Sequence, residues 1–406
     1  MLIQQKLASI SDKPKTNKPI AVIIAILIMA ISVLALTSCK KDPKTSDTTL
    51  EKSRGKFHLS NTSIEYFRFD PASDQVYAVG YSRSSELETG SPIETYNLYK
   101  ADRDLYSKLV CKDVSRCEPS PTGEYLLVDD VEDGSPIFKV IEAGSKKEIK
   151  STSWYRDIRS FRFEPLDKKR WLSDGCTFWY TNKDGLYVHN VKTNKSEKLL
   201  DGDILGLSFS KDTRYFLYGE YKGGLEINGG LNDPYSDRVS ARIGFPTKLK
   251  IFDRETKKSK VLVEEPSAWI DEAIMDSGNK TIYYSLTTAK RDPKQKFLSK
   301  TQIKSIGIDG FNKQVLSEKT ITVELDRIDY LYRVYRLMFT KQEKGLLYEI
   351  ENIEPDKNAG NYYFDLSTRT EKRAPGGHLV DSWDYNPKTN EVGWIDVGKL
   401  ILKKVD

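Results

Sequence analysis

Along most of the chain apolar and polar residues alternate in short runs separated by Pro, Gly, Asp, Asn or Lys. That period of two predicts strands rather than helices. One unit recurs seven times: a short alternating strand, a tight turn, then a strand rich in Tyr, Val, Leu or Trp. The copies are FRFDPASDQVYAVGY (67–81), CEPSPTGEYLLVDD (117–130), FRFEPLDKKRWLSD (161–174), LSFSKDTRYFLYGE (207–220), AIMDSGNKTIYYSL (273–286), LMFTKQEKGLLYEI (337–350) and WDYNPKTNEVGWID (383–396). Their starts lie 50, 44, 46, 66, 64 and 46 residues apart.

Most copies are followed by a second hairpin, clearest in LYVHNVKTNKSEKLL and LKIFDRETKKSKVLV. Two hairpins make a four-stranded unit, and four-stranded propeller blades recur at about 40–50 residues. The expected fold is therefore all-β: a propeller of seven four-stranded blades, with six as the alternative. The seventh copy is short, because only KLILKKV (399–405) follows it. Three strands would leave an unpaired outer edge. GKFHLS (55–60) precedes the first copy as a strand without a hairpin, and it is expected to complete the last blade and close the ring.

The turns SPTGEYLL and FDPASDQVYAV resemble those of WD40-like and TolB-like propellers of bacterial envelope proteins, and the resemblance spans roughly residues 57–405. It implies a fold and leaves function open. The chain departs from TolB in having no α/β domain before the propeller, and from strict WD40 repeats in lacking their Gly-His and Trp-Asp dipeptides.

Ahead of the repeats stands Ile20 to Leu36, seventeen residues without charge, preceded by Lys13, Lys15 and Lys18. This is the order of an export signal. Leu36-Thr37-Ser38-Cys39 resembles the lipobox of bacterial lipoproteins, and the resemblance implies cleavage before Cys39 and acylation of its thiol. An uncleaved helical anchor is the alternative. Either reading places the rest of the chain outside the cytoplasm, attached to a membrane through lipid or helix. The division expected is an export signal over 1–38, a flexible polar tether over 39–56 and the propeller over 57–406.

Loss of residues 1–38 takes the formal net charge from +5 to +2, which offers no electrostatic reason to expect nucleic acid as a partner. No cofactor is expected. The three histidines, His58, His189 and His378, fall in different repeats without metal-ligand spacing. Cys111 and Cys117 flank the junction of the first two copies. They are candidates for a disulfide in an oxidising compartment, with two buried thiols as the alternative. RIDYLYRVYRLMF (327–339) interleaves arginine with tyrosine, a mixture expected of a strand packed between blades.

Long insertions are expected between second and third strands, at roughly 82–95, 221–247, 287–301 and 351–361. In a propeller these connections emerge on one face, and loops on a rigid scaffold commonly carry binding residues. The largest offers a candidate binding rim of Asp233, Tyr235, Asp237, Arg238 and Arg242, expected on the face away from the tether. The function expected is that of a membrane-anchored scaffold binding a protein or other envelope component. The alternative is an envelope glycan hydrolase or lyase with its site in the propeller funnel.

Overall fold

The computed structural model describes residues 50–405 apart from 54–55, 60–62, 86–91, 103–106, 133–134, 154–169, 183–184, 203, 221–247, 266–267, 292–295, 325–332, 352–357, 377–382 and 397–398. The described residues form seven antiparallel sheets, and seven four-stranded blades result. Blade one, for example, is Ser63–Phe69, Val76–Ser85, Pro92–Ala101 and Ser107–Lys112, from the inside outward. In blade three the three strands Thr177–Asn182, Gly185–Asn190 and Lys195–Asp201 are joined on the inside by Trp171, bridged to Phe178. Blade five breaks its inner strand into Ala268–Trp269 and Ala273–Met275, and Ser285 Oγ accepts the amides of Asp271 and Glu272 at the break.

The repeat is a turn-capping device. Where the inner strand ends, a short polar side chain turns back on the backbone, which is why these positions are Asp, Ser, Thr or Asn. Asp70 accepts from Ala72 N, Ser120 Oγ from Tyr125 N, and Asp174 from the amides of Cys176 and Thr177. Ser210 Oγ accepts from Tyr215 N, Asp276 from Lys280 N, Thr340 Oγ1 from Gly345 N and Asn386 Oδ1 from Lys388 N. Gly175 sits at φ +69°, and a Cβ there would stand 2.4 Å from Thr122 Cγ2 in the preceding blade's turn.

Alternation within a strand feeds two cores at once. In Tyr215–Glu220, Phe216 and Tyr218 pack against blade three, whereas Leu217 packs against blade five. Buried residues accordingly fall into seven clusters, each shared by two neighbouring blades. The cluster of Ile64, Phe67, Phe69, Val76, Ala78 and Ala101 with Ile395 and Leu400 joins blade one to blade seven and closes the ring. Lys56–Leu59 adds to Lys399–Lys404 through Lys56↔Ile401 and Phe57↔Leu400, as the short seventh copy leads one to expect.

Three expectations need correction, and the open choice between a bridge and two thiols at Cys111 and Cys117 is also answered. The tether does not run unpaired to residue 56: Leu50–Ser53 forms a fifth strand outside Lys56–Leu59, with Leu50 opposite Leu59. The open edge of a completed blade still has amides to satisfy, and even the charged segment LEKS can satisfy them. In the third copy, the residues that pair with the next strand are Arg170–Leu172, at the end of the copy, while FRFEP lies outside the described residues. Leu172 N donates to Thr177 O across the turn, and Asp174-Gly175 supplies the cap and the left-handed residue that the tight reversal needs. Much of the expected insertions at 82–95 and 287–301 is strand, because Val76–Ser85, Pro92–Ala101, Thr281–Arg291 and Lys296–Gly307 simply prolong their hairpins. Hydroxyl pairs knit these extensions, Ser82 to Thr95 at 2.6 Å and Thr287 to Thr301 at 3.0 Å. Finally, Cys111 and Cys117 are thiols with no disulfide between them. Both belong to the apolar cluster between blades one and two, where Cys117 is fully buried.

Candidate functional site

The capping residues put the seven inner strands in register. Two positions before the turn stand Arg68, Glu118, Arg170, Ser208, Ile274, Met338 and Asp384, in blades one to seven. Read from blade seven through blade three, that level is Asp384, Arg68, Glu118, Arg170: acid, base, acid, base in consecutive blades. All four are buried, between 6% and 8% exposed, so each charge must find a compensating group.

The compensation runs from blade to blade. Asp384 Oδ2 accepts Phe69 N of blade one at 3.0 Å, and Arg68 donates back to Trp383 O at 3.4 Å. Glu118 Oε1 accepts Arg170 N at 2.6 Å and Trp171 N at 3.3 Å, both from blade three. Tyr66 donates its hydroxyl to Cys117 O, and Ser208 to Ala273 O. Asp271 Oδ2 accepts Val334 N, and Arg336 donates to Trp383 O at 2.6 Å. Six blade junctions are thus seen to be bonded through inner-strand side chains, and between blades three and four aromatic rings fill the junction. There the Trp179 and Phe216 ring centroids lie 5.4 Å apart.

Arg336 occupies a bulge in Arg333–Phe339 at φ +56°. Such a bulge re-aims a side chain, and here the guanidinium joins that of Arg68 on the single carbonyl of Trp383, arriving from the opposite neighbouring blade. Arg68 stacks over Tyr66 at 4.8 Å and Arg170 over Trp179 at 4.8 Å, which fixes both heads.

Glu118 is the perturbed titrating group of this ring. Burial pushes its carboxyl up from 4.5 to about 7, against the pull of the Arg170 and Trp171 amides and of the Arg170 and Arg68 guanidiniums. Its Oε2 has no hydrogen-bond partner among the described residues. Glu118 of blade two thus faces Arg170 of blade three and Arg68 of blade one.

The candidate rim residues Asp233, Tyr235, Asp237, Arg238 and Arg242 lie outside the described residues, as does Cys39. What can be placed is the face from which their segment departs. Inner strands run toward the capped turns, so second-to-third-strand connections and blade-to-blade connections share the other face. Leu50 lies opposite Leu59, which leads into blade one on that same face. The fifth strand thus reverses the chain once more, so that Leu50 stands at the end where Leu59 leads into blade one. His189 is buried, with Nδ1 2.9 Å from Ser196 Oγ. Asp174 caps a turn. The inner charged ring escaped the sequence reading, although Arg68, Glu118 and Asp384 stand at matching positions in FRFD, CEPS and WDYN.

No family model matches the chain, and no curated protein matches it. Among solved structures, the β-propeller domain of the Trilobed protease from Pyrococcus furiosus, described as having an open velcro topology, is 12% identical with a TM-score of 0.50, covering 82% of this chain and 90% of that one. An oligogalacturonate lyase from Vibrio parahaemolyticus is 11% identical with a TM-score of 0.48, covering 78% and 77%. A TolB from Agrobacterium tumefaciens is 12% identical with a TM-score of 0.38, covering 65% and 84%. At such identities the likeness is one of fold alone: this chain is a seven-bladed β-propeller.

Proposed function

We propose that the chain is a lipid-anchored β-propeller serving as a binding scaffold for a protein or other component of the bacterial cell envelope, on the extracytoplasmic side. One observation carries this reading. The buried carboxylates of Asp384, Glu118 and Asp271 each accept a backbone amide of the next blade, so the charges at the ring's centre serve to hold a rigid disc together. A rigid disc with its long connections departing on one face suits presentation of a binding surface. The uncharged run Ile20 to Leu36 followed by Cys39 supports the anchor.

The test is a cross-linked pull-down from envelopes with the full chain and with residues 225–241 deleted. The deletion is expected to leave thermal unfolding unchanged and to lose the partner; a partner retained by the deletion chain refutes the rim. In parallel, Cys39→Ser is expected to abolish incorporation of labelled palmitate and release the protein from membranes. A second reading, a glycan hydrolase or lyase acting in the funnel, draws on Glu118 alone, since a carboxyl near 7 is suited to general acid–base work. Turnover of envelope glycans that vanishes in Glu118→Gln would favour it.

A further inference from the structure

A strand at the edge of a sheet presents unpaired amides and carbonyls, and proteins blunt such edges by keeping them short, placing proline in them or covering them. The outer strands of blades one and two have six residues each, those of blades three and four seven each, and that of blade six four. Blade seven covers its edge with the chain itself, through Lys56–Leu59 and then Leu50–Ser53. Blade five does neither. Its outer strand, Gln314–Glu324, has 11 residues without proline or glycine, and no strand among the described residues pairs with its outer side. From Ser317 onward it pairs with Lys296–Gly307 without a register shift.

The turn that leads into this strand carries a residue its siblings lack. The turns between third and fourth strands place a left-handed residue at Lys146 in blade two, Asn194 in blade three, Lys257 in blade four, Asn312 in blade five and Arg369 in blade six. The residue before it is Ser145, Thr193, Thr256 and Thr368 in blades two, three, four and six. The hydroxyls of Ser145 and Thr193 donate to Glu142 and Asn190, where their turns begin. In blade five the position is Phe311, which bonds nothing through its side chain and is 71% exposed, the most of any large apolar side chain among the described residues. Val315, at the start of the outer strand, is 48% exposed. Three cations stand at this start. Lys260 donates to the carbonyl of Asp309, Arg369 donates to the side-chain oxygen of Gln314 at 2.9 Å, and Lys313 is exposed. Two of them thus bond to neutral oxygens. Along the strand the charges are paired, Glu318 with Lys300 and Lys319 with Glu371, and Asp309 caps Phe311 N. Positive charge is in excess at the start.

We infer that the outer edge of blade five is a docking site for an extended segment of a partner protein, which adds antiparallel along Ser317–Thr322 as a fifth strand and ends in an apolar residue followed by carboxylates. Blade seven shows the same mode within the chain, where Leu50–Ser53 adds antiparallel outside Lys56–Leu59. In such pairing main-chain hydrogen bonds supply affinity and side-chain contacts select the partner. Antiparallel addition brings the C-terminal end of the incoming segment to the start of Gln314–Glu324. There, past the bulge at Leu316, Phe311 and Val315 offer apolar surface, and Lys260, Lys313 and Arg369 offer positive charge. The inference does not rest on the rim proposed above.

Fluorescence anisotropy on the full-length protein tests this. The probe is a labelled synthetic peptide of alternating threonine and valine, closed by a leucine and two glutamates. It is expected to bind, and the same peptide with methylated backbone nitrogens is expected not to. Phe311→Thr gives blade five the residue of its sibling turns, which keeps the fold, and is expected to weaken binding at least about tenfold. Lys313→Glu is expected to weaken it about fivefold. Hydrogen exchange is expected to slow over 317–322 when the peptide binds, and to stay unchanged over Lys258–Glu264 of blade four. No binding, equal binding of the methylated peptide, or binding untouched by both variants overturns the inference. Protection of 317–322 that rises with protein concentration in the absence of peptide places a second copy on the edge and overturns it as well. The chain lacking 225–241 is expected to bind the peptide as the wild type does. Binding lost with that deletion moves the site away from the edge and refutes it, whereas an envelope partner retained by the deletion chain refutes the rim alone.

Discussion

Replacing Glu118 by Gln isolates the proton held in the inner ring. Gln keeps a carbonyl oxygen for the amides of Arg170 and Trp171, now held by Oε1 at 2.6 and 3.3 Å, and it cannot ionise. In the folded chain the Glu118 carboxyl lies at about 7, raised by burial from 4.5. Between those two values the folded state holds a proton that the unfolded state has lost, so stability falls as pH rises and the loss is complete above the folded pKa. The difference of about 2.5 in pKa corresponds to about 3 kcal/mol.

The wild-type chain is thus expected to lose on the order of 3 kcal/mol relative to Glu118→Gln between pH 4.5 and pH 8.5. Unfolding entropy of about 2.1 cal/mol/K per residue over about 350 residues converts this to a Tm difference of roughly 4 °C. The assay is thermal unfolding of both proteins across that range, with the difference between them as the quantity read, since every other titrating group cancels. A Tm difference constant with pH, or one that grows toward acid, refutes the placement of an uncompensated carboxyl at the blade-two/blade-three junction. Glu118→Ala is the companion variant. It leaves two buried amides without an acceptor and is expected to destabilise by about 2–4 kcal/mol at every pH.

Three shorter predictions test the ring. Gly175→Ala, which puts a Cβ at φ +69° and 2.4 Å from Thr122 Cγ2, is expected to destabilise by about 1–2 kcal/mol in urea unfolding; no change in the midpoint would remove the turn-to-turn contact from the account. Titration with a thiol reagent under denaturing conditions, with and without prior reduction, is expected to give the same count, because Cys111, Cys117 and Cys176 are thiols; a rise on reduction would reveal a bridge. Removal of residues 50–60 exposes the edge of Lys399–Lys404 beside the cluster that joins blades seven and one. It is expected to lower Tm and promote self-association in sedimentation, and an unaltered Tm would mean that the ring does not depend on this closure.

How much of this was legible depended on whether a residue's role is local. The capped turns are local: an Asp, Ser, Thr or Asn bonds to amides a few residues on, so the repeats and the all-β class could be read directly. The same holds for the missing outer strand of blade seven, which follows from counting. In the third copy FRFEP and RWLSD are both apolar runs followed by turn formers, so the copy alone does not show which of them pairs; the structure shows Trp171 bridged to Phe178. The strand Leu50–Ser53 gave no signal, since LEKS owes its conformation to an edge presented by a different segment.

The inner charged ring shows the same division at a finer level. Arg68, Glu118, Arg170 and Asp384 look like unrelated surface charges until the turns put the repeats in register, and then they fall on one level in consecutive blades. Their burial follows from closure, because each needs the neighbouring blade to supply its bonding partner: Phe69 N for Asp384, Arg170 N for Glu118, Trp383 O for Arg68. A carboxylate without that neighbour would be a buried charge costing several kcal/mol. The ring and its charges therefore depend on each other. An open arc with this junction undone would strand Asp384 and Arg68 together, so the two-pair ladder between Lys56–Leu59 and Lys399–Lys404 is backed by an inner pair of side-chain-to-backbone bonds, Phe69 N to Asp384 Oδ2 and Arg68 to Trp383 O.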